Sequence, residues 1–166
     1  MSTRKNCLVK LSGDVLTNEV LEWIRDLSLS YFVVVCVGGG TQINKAFKEA
    51  GYPVGKHGPL GRETNTFAER RLARSVLEDN QTSVQDNLAR LGAHSVTVVI
   101  PVLEIGGVLC HINGDEFLKL CYHGFNMLYA VTTEDRVDEK IKLFEELSKI
   151  KVVEEHSLPC ALAPVS

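Results

Sequence analysis

Residues 31–40 read Tyr-Phe-Val-Val-Val-Cys-Val-Gly-Gly-Gly, and this stretch decides the fold. Its apolar and aromatic residues run without interruption into three glycines, a pattern typical of a strand that is covered on both faces of a parallel sheet. Residues 42–50 then predict a helix that ends at Gly51. The order of strand, glycine turn and helix is also suited to binding an anionic ligand. Glycines let the backbone approach it, and the amides at a helix start attract an anion.

Segments on both sides of this stretch continue the alternation of strands and helices. Residues 7–11 predict a short buried strand that ends near Gly13, and Thr17 predicts the N-cap of the helix that follows. The other predicted elements are a loop at 51–61, helices around 68–76 and after a capping box at 82–85, strands at 95–103, 126–131 and 151–153, a hairpin at 104–108, and a last helix with an apolar stripe at Val137, Ile141, Phe144 and Leu147. We therefore predict an α/β fold, a three-layer αβα sandwich with a mainly parallel central sheet, as a single domain over residues 1–166.

Charge and hydropathy exclude several classes of protein. The 18 basic and 21 acidic residues give a formal net charge of −3, so the sequence offers no electrostatic surface for nucleic acid or anionic lipid. No apolar run approaches the roughly 18 residues that a membrane-spanning helix needs. Residues 1–6 lead into a strand-like run and not into the apolar core of a signal peptide. We expect a cytoplasmic protein without nucleic-acid or membrane partners.

The five cysteines indicate a reduced compartment, because their number is odd, they are widely spaced and no Cys-x-x-Cys pair occurs. Most of them lie in or beside apolar stretches, where a free thiol packs as a small hydrophobe. A metal site built from Cys110, His111, Cys121 and His123 is the alternative. Adjacent residues of a strand point to opposite faces, which separates Cys110 from His111. Buried thiols are therefore the preferred interpretation, and we predict no metal.

The glycine triplet favours anion binding over a purely structural turn, since each glycine raises the entropy lost on folding. Thr41 adds a hydroxyl at the start of the helix. Two familiar phosphate-binding motifs do not match the sequence. A dinucleotide fingerprint would need glycine where Ile43 stands, and no Gly-Lys-Ser/Thr end of a Walker motif occurs.

A wider combination of motifs resembles the amino acid kinase family. Residues 9–14, Val-Lys-Leu-Ser-Gly-Asp, and 37–44, Val-Gly-Gly-Gly-Thr-Gln-Ile-Asn, are similar to its first two motifs. Three later stretches, 61–64, 111–115 and 127–137, extend the resemblance in the family's order. The resemblance implies a carbamate kinase-like sandwich that moves a phosphoryl group from ATP with Mg²⁺ to a small acid. It also implies a homo-oligomer such as a dimer.

The same resemblance assigns roles to individual residues. Lys10 would contact the transferring phosphoryl group, with Gly13 beside it at the nucleotide phosphates, and Asp115 would orient two lysines around that group. Substrate binding would fall to Gly38, Gly39, Gly40, Thr41, Arg62 and Asn113. These residue types suit the tasks, because phosphoryl transfer needs positive charge where oxygens gain negative charge. A guanidinium, in turn, binds a carboxylate with two hydrogen bonds.

Other interpretations stay open: Asp115 as a helix N-cap, Arg62 as a solvated loop arginine, and Asp14 as a carboxylate that repels phosphate. The residues after 137 leave little room for the lobe that holds the nucleotide in the family. No motif identifies its second catalytic lysine, although Lys140 and Lys142 lie nearby. Two functions are therefore open. One is a kinase that is smaller than the family's members and lacks most of the nucleotide lobe. The other is a non-catalytic binding or regulatory protein that binds a small anionic metabolite.

Overall fold

The computed structural model describes residues 4–55 and 57–161. Along the chain the elements are β1 (Asn6–Leu11), α1 (Asn18–Ser30), β2 (Phe32–Val37), α2 (Gly40–Glu49), β3 (His57–Gly58), β4 (Gly61–Arg62), α3 (Phe67–Arg90), β5 (Thr97–Val99), β6 (Val102–Ile105), β7 (Val108–His111), α4 (Gly114–Leu120), β8 (Met127–Thr132), α5 (Val137–Leu143) and β9 (Ile150–Glu154). Residues 1–3 of the segment considered for a signal peptide lie outside the described residues. None of the helices in the two described ranges is long and apolar enough to cross a membrane.

A five-stranded sheet forms the centre of the protein, in the order β5-β2-β1-β8-β9, and all its strand pairs are parallel. β1 lies in the middle, paired with β2 from Asn6↔Phe32 to Leu11↔Val37 and with β8 on its other side. β2 lies inside the sheet next to β1. An internal parallel strand is covered on both faces and needs apolar residues on both, which explains the continuous apolar run of β2. The predicted parallel sheet is confirmed.

Helices cover both faces of this sheet. On one face, Cys7, Val9 and Leu11 of β1 pack with α1 and with the second half of α3. On the other face, Leu8 and Leu128 pack with α4 and with the segment that follows α5. A third cluster joins α2 to the first half of α3 and contains Ile43, Phe47, Ala73 and Leu77. The predicted three-layer αβα sandwich is confirmed.

Backbone geometry confirms two local predictions. Thr17 is the N-cap of α1, and its hydroxyl accepts a hydrogen bond from the Val20 amide at 3.3 Å. β6 and β7 form the expected hairpin, in which Gly106 and Gly107 have φ values of 56° and 80°. Positive φ at both central residues is the geometry of a type I′ turn, which glycine adopts without steric cost.

The long helix α3 differs from the prediction of two helices. It runs without a break from Phe67 to Arg90, so the capping box expected at 82–85 lies inside a helix. The cap that operates is Thr66, whose hydroxyl accepts from the Glu69 amide at 3.2 Å, while the Glu69 carboxylate accepts from the Asn65 amide at 2.7 Å. Packing of the helix on the sheet and on α2 outweighs the local capping signal at 82–85.

Two further boundaries differ from the prediction. The strand expected at 95–103 is two strands, β5 and β6, that belong to different sheets. The reason is Pro101 between them, which has no amide to donate to a ladder. The last helix ends at Leu143, earlier than expected, although Phe144 still packs in the core at 3% exposure.

Two threonines allow a matched test of where α3 begins. Thr66→Ala removes the hydroxyl that accepts from the Glu69 amide, and we expect it to lower the free energy of unfolding by about 1 kcal/mol. Thr82→Ala changes an exposed residue inside the helix. It should leave that free energy unchanged or slightly raised, because alanine has the higher helix propensity. Urea denaturation followed by circular dichroism measures both, and an equal loss in the two variants would contradict a continuous helix.

Candidate functional site

A cavity of about 390 Å³ opens where the central strands β1 and β2 end. Ligand sites of open parallel sheets commonly lie at this edge. Its walls come from the turn after β1, the start of α2, β4, the start of α4, and α5. All the residues predicted from the sequence line it: Lys10, Gly13, Gly38, Gly39, Gly40, Thr41, Arg62, Asn113 and Asp115. The fold thus brings together groups from distant parts of the chain.

One buried carboxylate holds two lysine amines beside this cavity. Asp115 Oδ1 lies 3.1 Å from Lys10 Nζ, and Asp115 Oδ2 lies 2.5 Å from Lys140 Nζ. Lys10 also donates to the Ser12 hydroxyl at 3.2 Å. Lys10, Asp115 and Lys140 are 6%, 4% and 3% exposed. Burial on this scale means that removing one member would leave a bare charge in the interior. Asp115 therefore lies between two lysines, as the family resemblance implies.

The same contacts shift the pKa values of Asp115 and Lys10. Burial by itself would raise the pKa of Asp115, but the charges and hydrogen bonds of Lys10 and Lys140 outweigh it and hold that pKa below its ordinary value. Burial lowers the pKa of Lys10, and Lys140 adds to this effect, while Asp115 opposes it. With all three groups ionised, the cluster is a cation at the wall of the cavity.

One position of helix α5 differs from its apolar pattern. Ile141, expected in the buried stripe, is 53% exposed, whereas Lys140 is 3% exposed. The other members of the stripe stay at the core, since Phe144 is buried and Val137 and Leu147 are half-buried. The ion pair with Asp115 supplies the reason, because a buried carboxylate needs a neutralising partner. The sequence places Lys140 near the site without a motif, and only the fold identifies it as the second lysine of the cluster.

Arg62 is a buried cation that has no carboxylate partner among the described residues. It is 9% exposed, its Nη2 donates to the Gly40 carbonyl at 3.2 Å, and its guanidinium lies 5.4 Å from the centre of the Phe47 ring. Nε and Nη1 have no hydrogen-bond partner, and within residues 4–55 and 57–161 no Asp or Glu pairs with this arginine. Burial lowers its pKa, yet a guanidinium stays charged. The interpretation as a solvated loop arginine is wrong. A buried charge of this kind favours an anionic ligand.

The two glycine turns pack closely against their surroundings. A Cβ on Gly13 would lie 2.9 Å from the Gly39 Cα, and a Cβ on Gly39 would lie 2.8 Å from Nδ2 of the Asn80 side chain. A Cβ on Gly40 would meet nothing within 4 Å. Gly13 is therefore needed for packing against the backbone of the second turn, whereas a side chain at Gly39 would have to displace the side chains of Asn80 and Leu77. Gly40 leaves open space.

Asn113 and Thr41 use their side chains partly within the protein. The Asn113 side-chain oxygen accepts from the Asp115 amide at 2.9 Å, which makes Asn113 the N-cap of α4. The interpretation of Asp115 as that cap is wrong. The Thr41 hydroxyl donates to the Asp14 carboxylate at 3.0 Å, and Asp14 also lines the cavity. The NH₂ group of Asn113 and the lone pairs of the Thr41 hydroxyl remain for a ligand.

Several residues that the sequence did not single out also line the cavity. They are Asn44, His57, Arg136 and Glu139. Burial lowers the pKa of His57, and the Arg62 charge adds to this. Asn44 and Arg136 lie in the stretches 37–44 and 127–137 but had no predicted role, and no motif marks His57 or Glu139.

The four residues considered for a metal do not come together as a metal site. In the part of the chain that the structure describes, no group of three or more His, Cys, Asp or Glu side chains could hold a metal ion. The His111 ring nitrogen Nε2 is 2.9 Å from the Arg70 carbonyl. Cys7 and Cys36 are buried as expected, and burial raises the pKa of each thiol to about 12. Cys160 is exposed.

Comparison with known proteins does not place the chain in a family. No protein-family model matches it, and no curated protein matches it. Among solved structures, one similar chain is a Cu(II) complex of a mutant of the HOCl-induced flavoprotein disulfide reductase RclA from Escherichia coli. The TM-score is 0.25, with 6% sequence identity and 92% of this chain covered. The match covers 49% of the flavoprotein chain, so this chain spans about half of its length.

Asp115→Asn tests the buried cluster. The amide carries no negative charge to offset the buried ammonium groups, and we expect the free energy of unfolding at neutral pH to fall by about 3–5 kcal/mol. The triple variant Lys10→Met/Asp115→Leu/Lys140→Met removes every charge of the cluster and should recover most of that loss. Glu116→Gln makes the same carboxylate-to-amide change on the partly exposed side of α4 and should cost less than about 1 kcal/mol. Urea denaturation measures the series, and equal losses for the two amide variants would contradict the buried cluster.

The lowered pKa of Asp115 predicts how stability depends on acid. A carboxyl group with a lower pKa in the folded state stabilises the fold fully above its ordinary pKa. That stabilisation is lost as the pH falls through the lowered value. We expect the natural protein to lose stability below about pH 4, and the triple variant to lose less over the same range. Thermal melts across this range measure the effect, and parallel curves for the two proteins would contradict the assignment.

Proposed function

We propose that this protein is a small phosphotransferase of the amino acid kinase type. It binds a carboxylate- or phosphate-bearing metabolite in the cavity and transfers to it a phosphoryl group from ATP with Mg²⁺. The observation that carries the proposal is the pair of buried lysines on Asp115 that shares one cavity with the unpaired Arg62. Phosphoryl transfer is catalysed largely by positioning and by positive charge near the oxygens that gain negative charge. The cytoplasmic location expected from the cysteines and the hydropathy, and the homo-oligomer expected from the resemblance, belong to the same proposal.

The residues of the cavity suit the phosphate end of a nucleotide. The lysine cluster supplies cations, and the Gly39 N-cap of α2 makes no side-chain hydrogen bond, which leaves the first amides of that helix for an anion. Gly40 leaves open space beside them. ATP with Mg²⁺ supplies the phosphoryl group when bound, and the metal ion is held mainly by phosphate oxygens, so it needs few protein ligands.

The roles of the charged residues follow from their free hydrogen-bond donors. Asp115 holds the amines of Lys10 and Lys140 in place. An ammonium group has three N–H donors, of which Lys10 donates one to Ser12 while its charge lies beside Asp115. Its amine therefore keeps a donor for a phosphoryl oxygen. Arg62 holds the acceptor molecule through Nε and Nη1.

A second function, anion binding without catalysis, is favoured by one observation. Asp115 already engages both lysine amines, whereas Arg62 is a buried cation with no carboxylate partner in the described part of the chain. A protein that only senses or carries an anion would depend on Arg62 and on the amides of α2, and it would not depend on the lysine pair.

Calorimetric titration with ATP and Mg²⁺, and then with inorganic phosphate and acetate, separates the two functions. We expect Arg62→Gln to weaken anion binding about 10- to 100-fold, since a hydrogen bond to a charged group contributes about 1.5–3 kcal/mol. Lys10→Met should abolish transfer from labelled ATP to a pool of small acids. Arg71→Gln removes an exposed arginine of α3 outside this cavity, and it is the control that should bind as the natural protein does.

The outcomes of these titrations distinguish the kinase from the non-catalytic anion-binding protein. No ATP binding at about millimolar concentration would reject the kinase, because typical substrate affinities lie below that level. Anion binding that depends on Arg62 without any ATP binding would support the second function. An equal loss in Arg71→Gln would indicate general charge attraction and reject both.

A further inference from the structure

Two side chains that lie outside the cavity fix the direction of the peptide groups in the two glycine turns. Asn80 of α3 donates through Nδ2 to the Gly38 carbonyl at 3.0 Å. Gln42 of α2 donates through Nε2 to the Gly13 carbonyl at 2.8 Å. Both glycines line the cavity, whereas Asn80 and Gln42 do not. The two carbonyls are therefore turned away from the cavity.

The amides of the same peptide groups point the other way. In a trans peptide, the C=O of one residue and the N–H of the next are antiparallel, and none of the described peptide bonds is cis. Fixing the Gly38 carbonyl therefore fixes the Gly39 amide, and fixing the Gly13 carbonyl fixes the Asp14 amide. Neither amide donates a hydrogen bond to another residue in the described ranges. Both are free to donate into the cavity.

A third peptide group at the same place is held by Arg62, whose Nη2 donates to the Gly40 carbonyl at 3.2 Å. This contact fixes the direction of the Thr41 amide at the uncapped start of α2. Arg62 is itself nine-tenths buried and has unpartnered Nε and Nη1 atoms at the cavity. A buried, unpartnered guanidinium points to an anion independently of the helix start.

We propose that Asn80 and Gln42 are positioning residues that aim the amides of Gly39 and Asp14 at the oxygens of a phosphoryl group in the cavity. This inference rests on the proposed function, because it needs an anion there. Amides from two separate turns form a concave donor set of the kind that binds phosphate, whose oxygens point in several directions. Without the Asn80 donor, the Gly38 carbonyl loses the partner that sets its direction, and the amide that follows it is no longer held toward the cavity.

Titration of the ¹⁵N-labelled chain with inorganic phosphate, followed by NMR, tests the proposal. In the natural protein, phosphate should shift the amide resonances of Gly39 and Asp14. Asn80→Leu and Gln42→Met keep the approximate size of each side chain but remove its donor. We expect the phosphate Kd to rise about tenfold in each, the equivalent of one lost charge-assisted hydrogen bond, and the two resonances to shift less. Asn87→Leu, the same change further along α3, is the control and should bind as the natural protein does.

The melting temperature of each variant separates positioning from a merely structural contact. A variant that melts earlier but keeps the natural affinity and the natural Gly39 shift would overturn the positioning role and leave the proposed function standing. If Asn80→Leu does not fold, the result for Gln42→Met decides the positioning role. Gln42 is partly exposed, so its substitution should disturb folding less. Phosphate binding in the natural protein without any Gly39 or Asp14 shift would also overturn the role. No phosphate binding and no ATP binding in the natural protein would reject the proposed function together with this inference.

Discussion

A single carboxylate held between two buried lysines is the constraint on which the rest of the site depends. None of the three charges could be buried alone at an acceptable cost, so β1, α4 and α5 must meet within hydrogen-bond distance. Lys10 and α4 also pack closely. A Cβ on Gly114 would lie 2.9 Å from Lys10 Cε, so the lysine side chain lies directly against the first residue of α4. The same requirement explains why α5 turns Lys140 inward and leaves Ile141 in water.

The cavity combines two kinds of positive charge. Asp115 offsets one of the two charges of the lysine pair and holds both amines in place. Arg62 is held differently, by the Phe47 ring and one backbone carbonyl, and its charge is not compensated by any carboxylate among the described residues. A fixed cluster and an uncompensated guanidinium suit two different anionic groups, such as a phosphoryl group and the acid that accepts it.

The fold could be predicted from the sequence wherever local pattern and burial agree. The apolar run of β2 required coverage on both faces, and Gly106 and Gly107 required a tight hairpin. Prediction failed where a distant contact overrides the local signal. The capping box at 82–85 gave way to tertiary packing, and the apolar stripe with Ile141 gave way to an ion pair.

The candidate site followed from motifs in their order along the chain, and its supporting residues did not. Lys140 is buried only because Asp115 reaches it from another element. Asn80 and Gln42 donate to backbone carbonyls. Every residue has a carbonyl, so the sequence does not indicate which one a side chain will bind. Residues whose role depends on a partner far along the chain, or on the backbone, are the ones that sequence patterns do not reveal.

The central position of β1 has a consequence for protein synthesis. The first strand carries Lys10, but its partners β8 and α5 are among the last elements of the chain. A ribosome therefore releases the glycine turns and Arg62 well before the second lysine exists, and contacts between such distant segments form late because loop closure is costly. A nascent chain therefore has the parts of the proposed anion site without its ion-paired wall, and that site is complete only when β8 and α5 have joined the sheet.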